Sequence, residues 1–271
     1  ALQAASMFGH LDIVKLLVAV GHADVDAEDI FGRMPLLVAS SAGQVEVAEA
    51  LLAFGADVNK TSRIDWRRSA LSAAALIADV EMVTLLLKNM ASVFYVGSEE
   101  SYLFAACRRG GTEIAEKIID AAGACKSEFV GIQYDSDSPL HQTIREGNVE
   151  LARILIDDYG ANVCAGLRLS PFHVACSNGD VQCMKLLLEK QLEPFAAVDY
   201  KSRLPVNNDI GLRIGEASPL LLACLSGSID AVKLLLSMHA DVHARDVNGE
   251  TALHAAAFAE SRSIVEMLVE A

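Results

Sequence analysis

An apolar residue opens a helix-forming stretch at Leu2, Leu36, Leu71, Leu103, Leu140, Phe172, Leu220 and Leu253, at separations of 34, 35, 32, 37, 32, 48 and 33 residues. Five of the seven separations lie within two residues of 33, so the chain repeats one unit of about that length. Such a unit holds two short helices and cannot shield its own apolar side; it is stable only when stacked on neighbours. A stack also escapes the limit that a single hydrophobic core meets near this chain length.

Aligning the segments at 34–59, 138–163, 170–191 and 251–271 shows what each unit contains. Pro35, Pro139, Pro171 and Pro219 fall in a first helical turn, where the missing N–H costs nothing. Ser138, Ser170, Ser218 and Thr251 stand at or before that start as capping hydroxyls. Ala39, Ala73, Ala105, Ala175, Ala223 and Ala256 let neighbouring first helices approach closely. Gly43, Gly110, Gly147, Gly179 and Gly227 are expected to end those helices with positive φ. Apolar residues at helical spacing, such as Val47, Ala48, Leu51 and Leu52, then mark a second helix.

Thr-Ala-Leu-His at 251–254, Ser-Pro-Leu-His at 138–141 and Gly-Ala-Asp-Val-Asn at 55–59 resemble the signature of the ankyrin repeat, and the likeness runs along essentially the whole chain. The resemblance implies an all-α solenoid of about eight helix-turn-helix repeats, with short inter-repeat turns and a concave groove. The units fall at about 1–28, 29–61, 64–95, 97–125, 133–165, 166–194, 213–245 and 246–271, in one repeat domain. An insertion occupies about 195–217, where Pro and Gly interrupt any helix and an extended excursion is expected.

Departures from the signature mark the uncertain joints. Ala78 and Glu260 replace the Gly between helices, and the fourth unit lacks Pro and His and ends in Ala124-Cys125. Both chain ends lie inside repeats, with Leu2, Met267 and Leu268 expected at uncovered faces, which predicts a piece of a longer chain.

Composition narrows the function. A net charge of −14 opposes nonspecific binding to nucleic acid or to anionic membrane. The longest uncharged apolar run, 69–78, is too short for membrane insertion. The six cysteines have no paired short spacings and read as reduced core residues of an intracellular protein, the cytoplasm being expected ahead of the nucleus. No nucleophile elbow, phosphate loop or metalloprotease helix occurs, so no catalytic residue, metal ligand or cofactor is assigned. His173 and Cys176 share a helix without a second pair at metal-ligand spacing, so packing accounts for them.

The resemblance also implies a function and its residues. His141, His173 and His254 are expected to make a structural hydrogen bond across the first turn. Asn59, in the Gly-Ala-Asp-Val-Asn turn, corresponds to a position that an oxygenase can hydroxylate in this family. Recognition of a protein partner is expected at the turn tips and the exposed ends of first helices: Phe31, Arg33, Trp66, Arg68, Arg108, Arg109, Tyr134, Asp135, Arg145 and Glu146. Trp and Arg are enriched at interface hot spots, and Arg forks suit a partner segment with an acidic or phosphorylated side. The expected role is an adaptor or scaffold, the alternative a regulatory region of a larger channel, kinase or ubiquitin-ligase subunit.

Overall fold

In a computed structural model of the chain, four prolines sit where the missing N–H is harmless, at the first turns of the helices starting at Pro35, Pro139, Pro171 and Pro219. The structure describes residues 1–62, 68–94, 102–132, 137–164, 169–190, 206–207, 213–214 and 217–271. The described chain divides into two compact units, Ala1–Phe129 and Val130–Ala271.

The first unit holds four helical pairs. These are α1 (Leu2–Met7) with α2 (Leu11–Ala19), α3 (Pro35–Ser41) with α4 (Val45–Ala53), α5 (Ala70–Leu76) with α6 (Val80–Lys88), and α7 (Tyr102–Ala105) with α8 (Gly111–Ala121). Between α7 and α8 the chain takes one π-helical turn, Ala106–Gly110. A 3₁₀ turn, Gly123–Cys125, then leads into α9 (Lys126–Val130).

The second unit repeats the plan with α10 (Pro139–Arg145) and α11 (Val149–Asp157), α12 (Pro171–Asn178) and α13 (Val181–Lys190), α14 (Pro219–Ser226) and α15 (Ile229–Ser237), and α16 (Ala252–Phe258) and α17 (Arg262–Glu270). The eight expected pairs are therefore present, and the fold is helical as expected. Within the insertion, Val206–Asn207 pairs antiparallel with Arg213–Ile214 as the two-stranded β1–β2.

First helices pack on first helices within each unit, α1 on α3 on α5 and α12 on α14 on α16, and second helices on second helices. The alanines anticipated at the close approaches, Ala39, Ala73, Ala105, Ala175, Ala223 and Ala256, are all buried. Second helices bury one stripe, such as Val47, Ala48 and Leu51 in α4 or Ala231, Val232 and Leu235 in α15. Several start on a side-chain cap: Asp79 Oδ1 accepts Met82 N–H at 2.9 Å and Asn148 Oδ1 accepts Leu151 N–H at 3.0 Å. Caps of this kind contribute about 1 kcal/mol each.

The break between helices follows one backbone rule whatever residue occupies it. Gly43, Gly147, Gly179 and Gly227 take positive φ, and so do Ala78 at 59° and Glu260 at 52° in the two repeats that lack the glycine. In the fourth repeat the π turn displaces the break, and the residue with φ 70° is Gly111, not Gly110 as the alignment had it. Met90 and His239 adopt the same conformation at the ends of α6 and α15, where Gly55 and Gly160 stand in other repeats.

Two expectations need correcting. Leu2 and Leu268 are buried, because α1 packs on α2 and on α3 of the next repeat and α17 packs on α16 and on α15 of the one before, and the uncovered apolar residues of the end repeats are others. Cys107, Cys176, Cys183 and Cys224 are core residues, whereas Cys125 and Cys164 lie in turns and are exposed.

Candidate functional site

The turn before the first helix carries exposed apolar side chains in the second and eighth repeats, Ile30 at 86% being the most exposed large apolar residue described. In the second repeat, Asp29 closes it: Oδ1 accepts the N–H groups of Phe31 and Arg33, both at 2.9 Å, while Asp29 N–H donates to the Arg33 carbonyl at 3.0 Å. Arg33 returns an ion pair, Nη2 to Asp29 Oδ2 at 2.8 Å, and lays its guanidinium over the Phe31 ring, 4.9 Å from the centroid. Burial opposes ionisation of Asp29, but the hydrogen bonds from Arg33 and Phe31 and the charge of Arg33 outweigh it and hold the carboxyl below its ordinary range. The turn is closed by these bonds, and it presents Ile30 and Phe31 to solvent.

The eighth repeat builds the same turn. Asp246 Oδ1 accepts Asn248 N–H at 2.9 Å and Glu250 N–H at 2.8 Å, and Val247 is exposed at the tip. In the third repeat, Ser62 N–H donates to the Arg68 carbonyl at 2.9 Å and Thr61 pairs with Ser69, closing a longer loop.

At the other end of the first helices, Phe8 and Ile77 are exposed in the first unit and Phe258 in the second. Phe8 was not among the anticipated residues. The signal for it lies in register: it immediately precedes the positive-φ Gly9, as Ile77 precedes Ala78.

The anticipated residues divide into groups. Phe31 and Arg33 come together on one tip. Arg68 is exposed immediately before the Ser69 cap of α5, and Arg108 is exposed on the π turn that also carries Arg109. Arg145 is already engaged, its Nη2 at 2.7 Å from Asp137 and its Nη1 at 3.0 Å from Gln142 Oε1, and Glu146 accepts Gln142 Nε2 at 2.9 Å. Trp66, Tyr134 and Asp135 lie outside the described residues, as does the side chain of Arg109.

The histidines hold the scaffold. His141 Nδ1 accepts the Ser138 N–H at 2.9 Å and lies 2.8 Å from its Oγ, while Nε2 reaches the Leu169 carbonyl, 2.9 Å away at the start of the next repeat. His173 sits 2.7 Å from Ser170 Oγ and His254 2.9 Å from Thr251 Oγ1. His141 and His173 are buried, as structural groups should be.

Asn59 also joins repeats. Its Oδ1 accepts Ser92 N–H at 2.7 Å and its Nδ2 donates to the Met90 carbonyl at 3.3 Å. Asp26, one repeat earlier, does the equivalent to Asp57 N–H, with both carboxylate oxygens at 3.2 Å.

Three of the buried cysteines are held in the unreactive thiol form. Burial pushes Cys176 and Cys183 well above the ordinary thiol range, the neighbouring Asp180 adding to the effect at Cys183, and pushes Cys224 up to about 12. Among the described residues no three His, Cys, Asp or Glu side chains group as a metal site. No described helix is long and apolar enough to cross a membrane.

Comparison with known proteins agrees with this architecture. The family model for ankyrin repeats in three copies matches residues 1–62, 71–166, 103–197 and 172–271. The ankyrin repeat and KH domain-containing protein mask-1 of Caenorhabditis elegans is 27% identical over 290 residues, which cover 99% of this chain and 10% of that protein. The E3 ubiquitin-protein ligase KEG of Arabidopsis thaliana is 21% identical over 275 residues, 100% of this chain and 14% of the ligase. The chain thus spans about a tenth to a seventh of these two relatives.

Among solved structures, the human ASB11 ankyrin repeat domain superimposes with a TM-score of 0.62 at 21% identity, covering 99% of this chain and 96% of that one. This likeness bears on fold alone. Repeats of this kind generally serve as protein–protein interaction modules. With the period, the capped helix pairs and the first-turn histidines already established, the family match over nearly all its length closes the question: the chain belongs to the ankyrin-repeat family.

Proposed function

We propose that the chain is an adaptor or scaffold module that binds a segment of a partner protein across its turn tips and first-helix ends. The observation that carries this reading is the exposure of Phe8, Ile30, Phe31 and Ile77 in the first unit, large apolar residues held outward by rigid turns and helix ends. Apolar side chains kept in solvent by ordered backbone suit a surface that is covered on binding. The exposed Arg68 and Arg108 add positive charge to a chain of net −14, so the segment that fits has apolar side chains beside an acidic or phosphorylated one.

A second reading has support of its own. Mask-1 and KEG are far longer than this chain, which favours a regulatory region that positions the other domains of a larger polypeptide.

The test is a partner isolated with the intact chain and titrated against two variants, Arg68→Glu/Arg108→Glu and Phe8→Asp/Ile77→Asp. Each variant should weaken binding by about 1–3 kcal/mol, roughly 5- to 150-fold in Kd. Unchanged affinity for both would place binding on another surface.

A further inference from the structure

The sequence holds two Asn-Gly pairs, Asn178–Gly179 and Asn248–Gly249, and the fold treats them differently. In such a pair the glycine nitrogen readily reaches the side-chain carbonyl carbon of the Asn, because no Cβ obstructs it and the backbone turns freely. The five-membered ring that this closes forces the Asn out of helical or turn dihedrals. Local structure therefore decides whether the ring forms.

Asn178 is the last residue of α12. Its Nδ2 donates to the Ile144 and Arg145 carbonyls of the preceding repeat, at 3.2 and 3.0 Å. Gly179 N–H donates to the Cys176 carbonyl at 3.0 Å, and the Gly179 carbonyl accepts Ser228 Oγ of the next repeat at 3.1 Å. Rotating this pair disturbs ties to both neighbouring repeats. Asn248 is exposed on a turn tip, where Asp246 holds it. Asp246 Oδ1 accepts Asn248 N–H at 2.9 Å, Oδ2 accepts Asn248 Nδ2 at 3.1 Å, and the Asp246 carbonyl accepts Gly249 N–H at 3.1 Å. These bonds lie within the tip, so opening it leaves the stacked helices in place. The exposure belongs to the tip and not to the last repeat: Phe31, at the same position of the second repeat, is 54% exposed although α5 packs on α3 behind it.

We propose that Asn248 is a site of spontaneous deamidation and that the fold protects Asn178 from it. The Gly249 nitrogen attacks Asn248 Cγ. The N–Cγ bond forms, the Cγ–Nδ2 bond breaks, and the amide nitrogen leaves as ammonia with the proton from Gly249 N–H. Water then opens the ring: cleavage between Cγ and the Gly249 nitrogen gives aspartate, and cleavage at the Asn248 backbone carbonyl carbon gives isoaspartate. Water is consumed, ammonia is released, and nothing is oxidised or reduced. Either product places a second carboxylate beside Asp246. Isoaspartate also adds a methylene to the backbone that Asp246 spans when its Oδ1 accepts Glu250 N–H at 2.8 Å. The site is intrinsic to the turn and does not depend on the function proposed above.

The test is incubation of the intact chain at mildly alkaline pH, with peptide mapping by mass spectrometry and enzymatic methyl labelling to score isoaspartate. Both products should accumulate at Asn248, while Asn178 reacts roughly tenfold or more slowly, the effect of one or two further hydrogen bonds that must break. In the urea-unfolded chain the two sites should react at similar rates, since the fold is what separates them. Asp246→Ala releases the turn and should speed the loss of Asn248 by roughly fivefold or more. Asn178 in the same variant reports whether the stack is still folded; if it accelerates too, the comparison of the two sites in the wild type decides. The proposal is overturned if Asn178 reacts as fast as Asn248 in the folded chain, or if the gap between them persists in urea. It is equally overturned if Asn248 stays intact while the unfolded chain reacts, or if a folded Asp246→Ala protein shows no acceleration.

Discussion

The amide oxygen of Asn59 accepts the backbone N–H of Ser92 at 2.7 Å, tying the turn of the second repeat to that of the third. With the bond from Asn59 Nδ2 to the Met90 carbonyl, one side chain serves both a donor and an acceptor of the next repeat. Asn59→Ala should cost about 1 kcal/mol, because water replaces both partners at an exposed site. Asn59→Asp keeps the acceptor and should cost less. Urea unfolding of the three proteins gives the ranking, and an equal loss for both variants would deny the role of the Ser92 bond.

His141 and His254 make the same first-turn contact in different surroundings. His141 is buried and reaches the Leu169 carbonyl of the next repeat, whereas His254 is exposed. His141→Ala should therefore cost about 2–3 kcal/mol, since it orphans buried groups, and His254→Ala about 0.5–1 kcal/mol. Thermal and chemical denaturation compare the two.

Ala78, Met90 and Glu260 hold positive φ without being glycine. A left-handed L residue costs about 1–2 kcal/mol, partly offset by the entropy that glycine loses on folding. Substituting glycine at each should raise stability by about 0.5–1 kcal/mol. The reverse change at Gly179 should cost about 2–3 kcal/mol, because a Cβ there would lie 2.5 Å from Ser228 Cβ at a φ of 66°. Melting temperatures of the four variants should move in these opposite directions.

Ser40 is buried in α3 and its hydroxyl has no hydrogen-bond partner among the described residues, whereas Ser6, at the same position one repeat earlier, donates to the Leu2 carbonyl at 2.8 Å. Ser40→Ala should stabilise the chain by about 1 kcal/mol, and Ser6→Ala should not. A destabilised Ser40→Ala protein would show that the hydroxyl has a task.

Asp29 titrates below its ordinary 3.8 when folded. Its contribution is therefore complete above about pH 5 and is lost as pH falls through the lowered folded value. The stability difference between the wild type and Asp29→Asn should be constant from pH 7 to 5 and shrink below about pH 4. Denaturation at several pH values measures it, and a gap that widens in acid would reverse the sign of the assignment.

How far the chain can be read without coordinates depends on which physical cue each feature leaves. Pro139 and Ser138 announce a helix start by their own chemistry, and the period announces stacking. The positive φ of Ala78, Met90 and His239 leaves no such mark, because neighbouring repeats impose it on residues that do not prefer it. Gly110 was misplaced by one residue because the π turn has no composition of its own. The Arg145–Asp137 pair joins residues eight apart across a turn, a spacing that no helical rule anticipates. The register that places Ile77 immediately before its positive-φ break places Phe8 in the same way before Gly9.

The helices α12 and α14 pack directly on each other although Gly179 and Gly227, their equivalent end residues, are 48 positions apart in place of the usual 33 or so. Close packing there is indifferent to the length of polypeptide that joins the two repeats. Added sequence at this junction is therefore thermodynamically cheap, and it can diversify, acquire a new binding partner or be trimmed away while the helical framework beneath it stays unchanged.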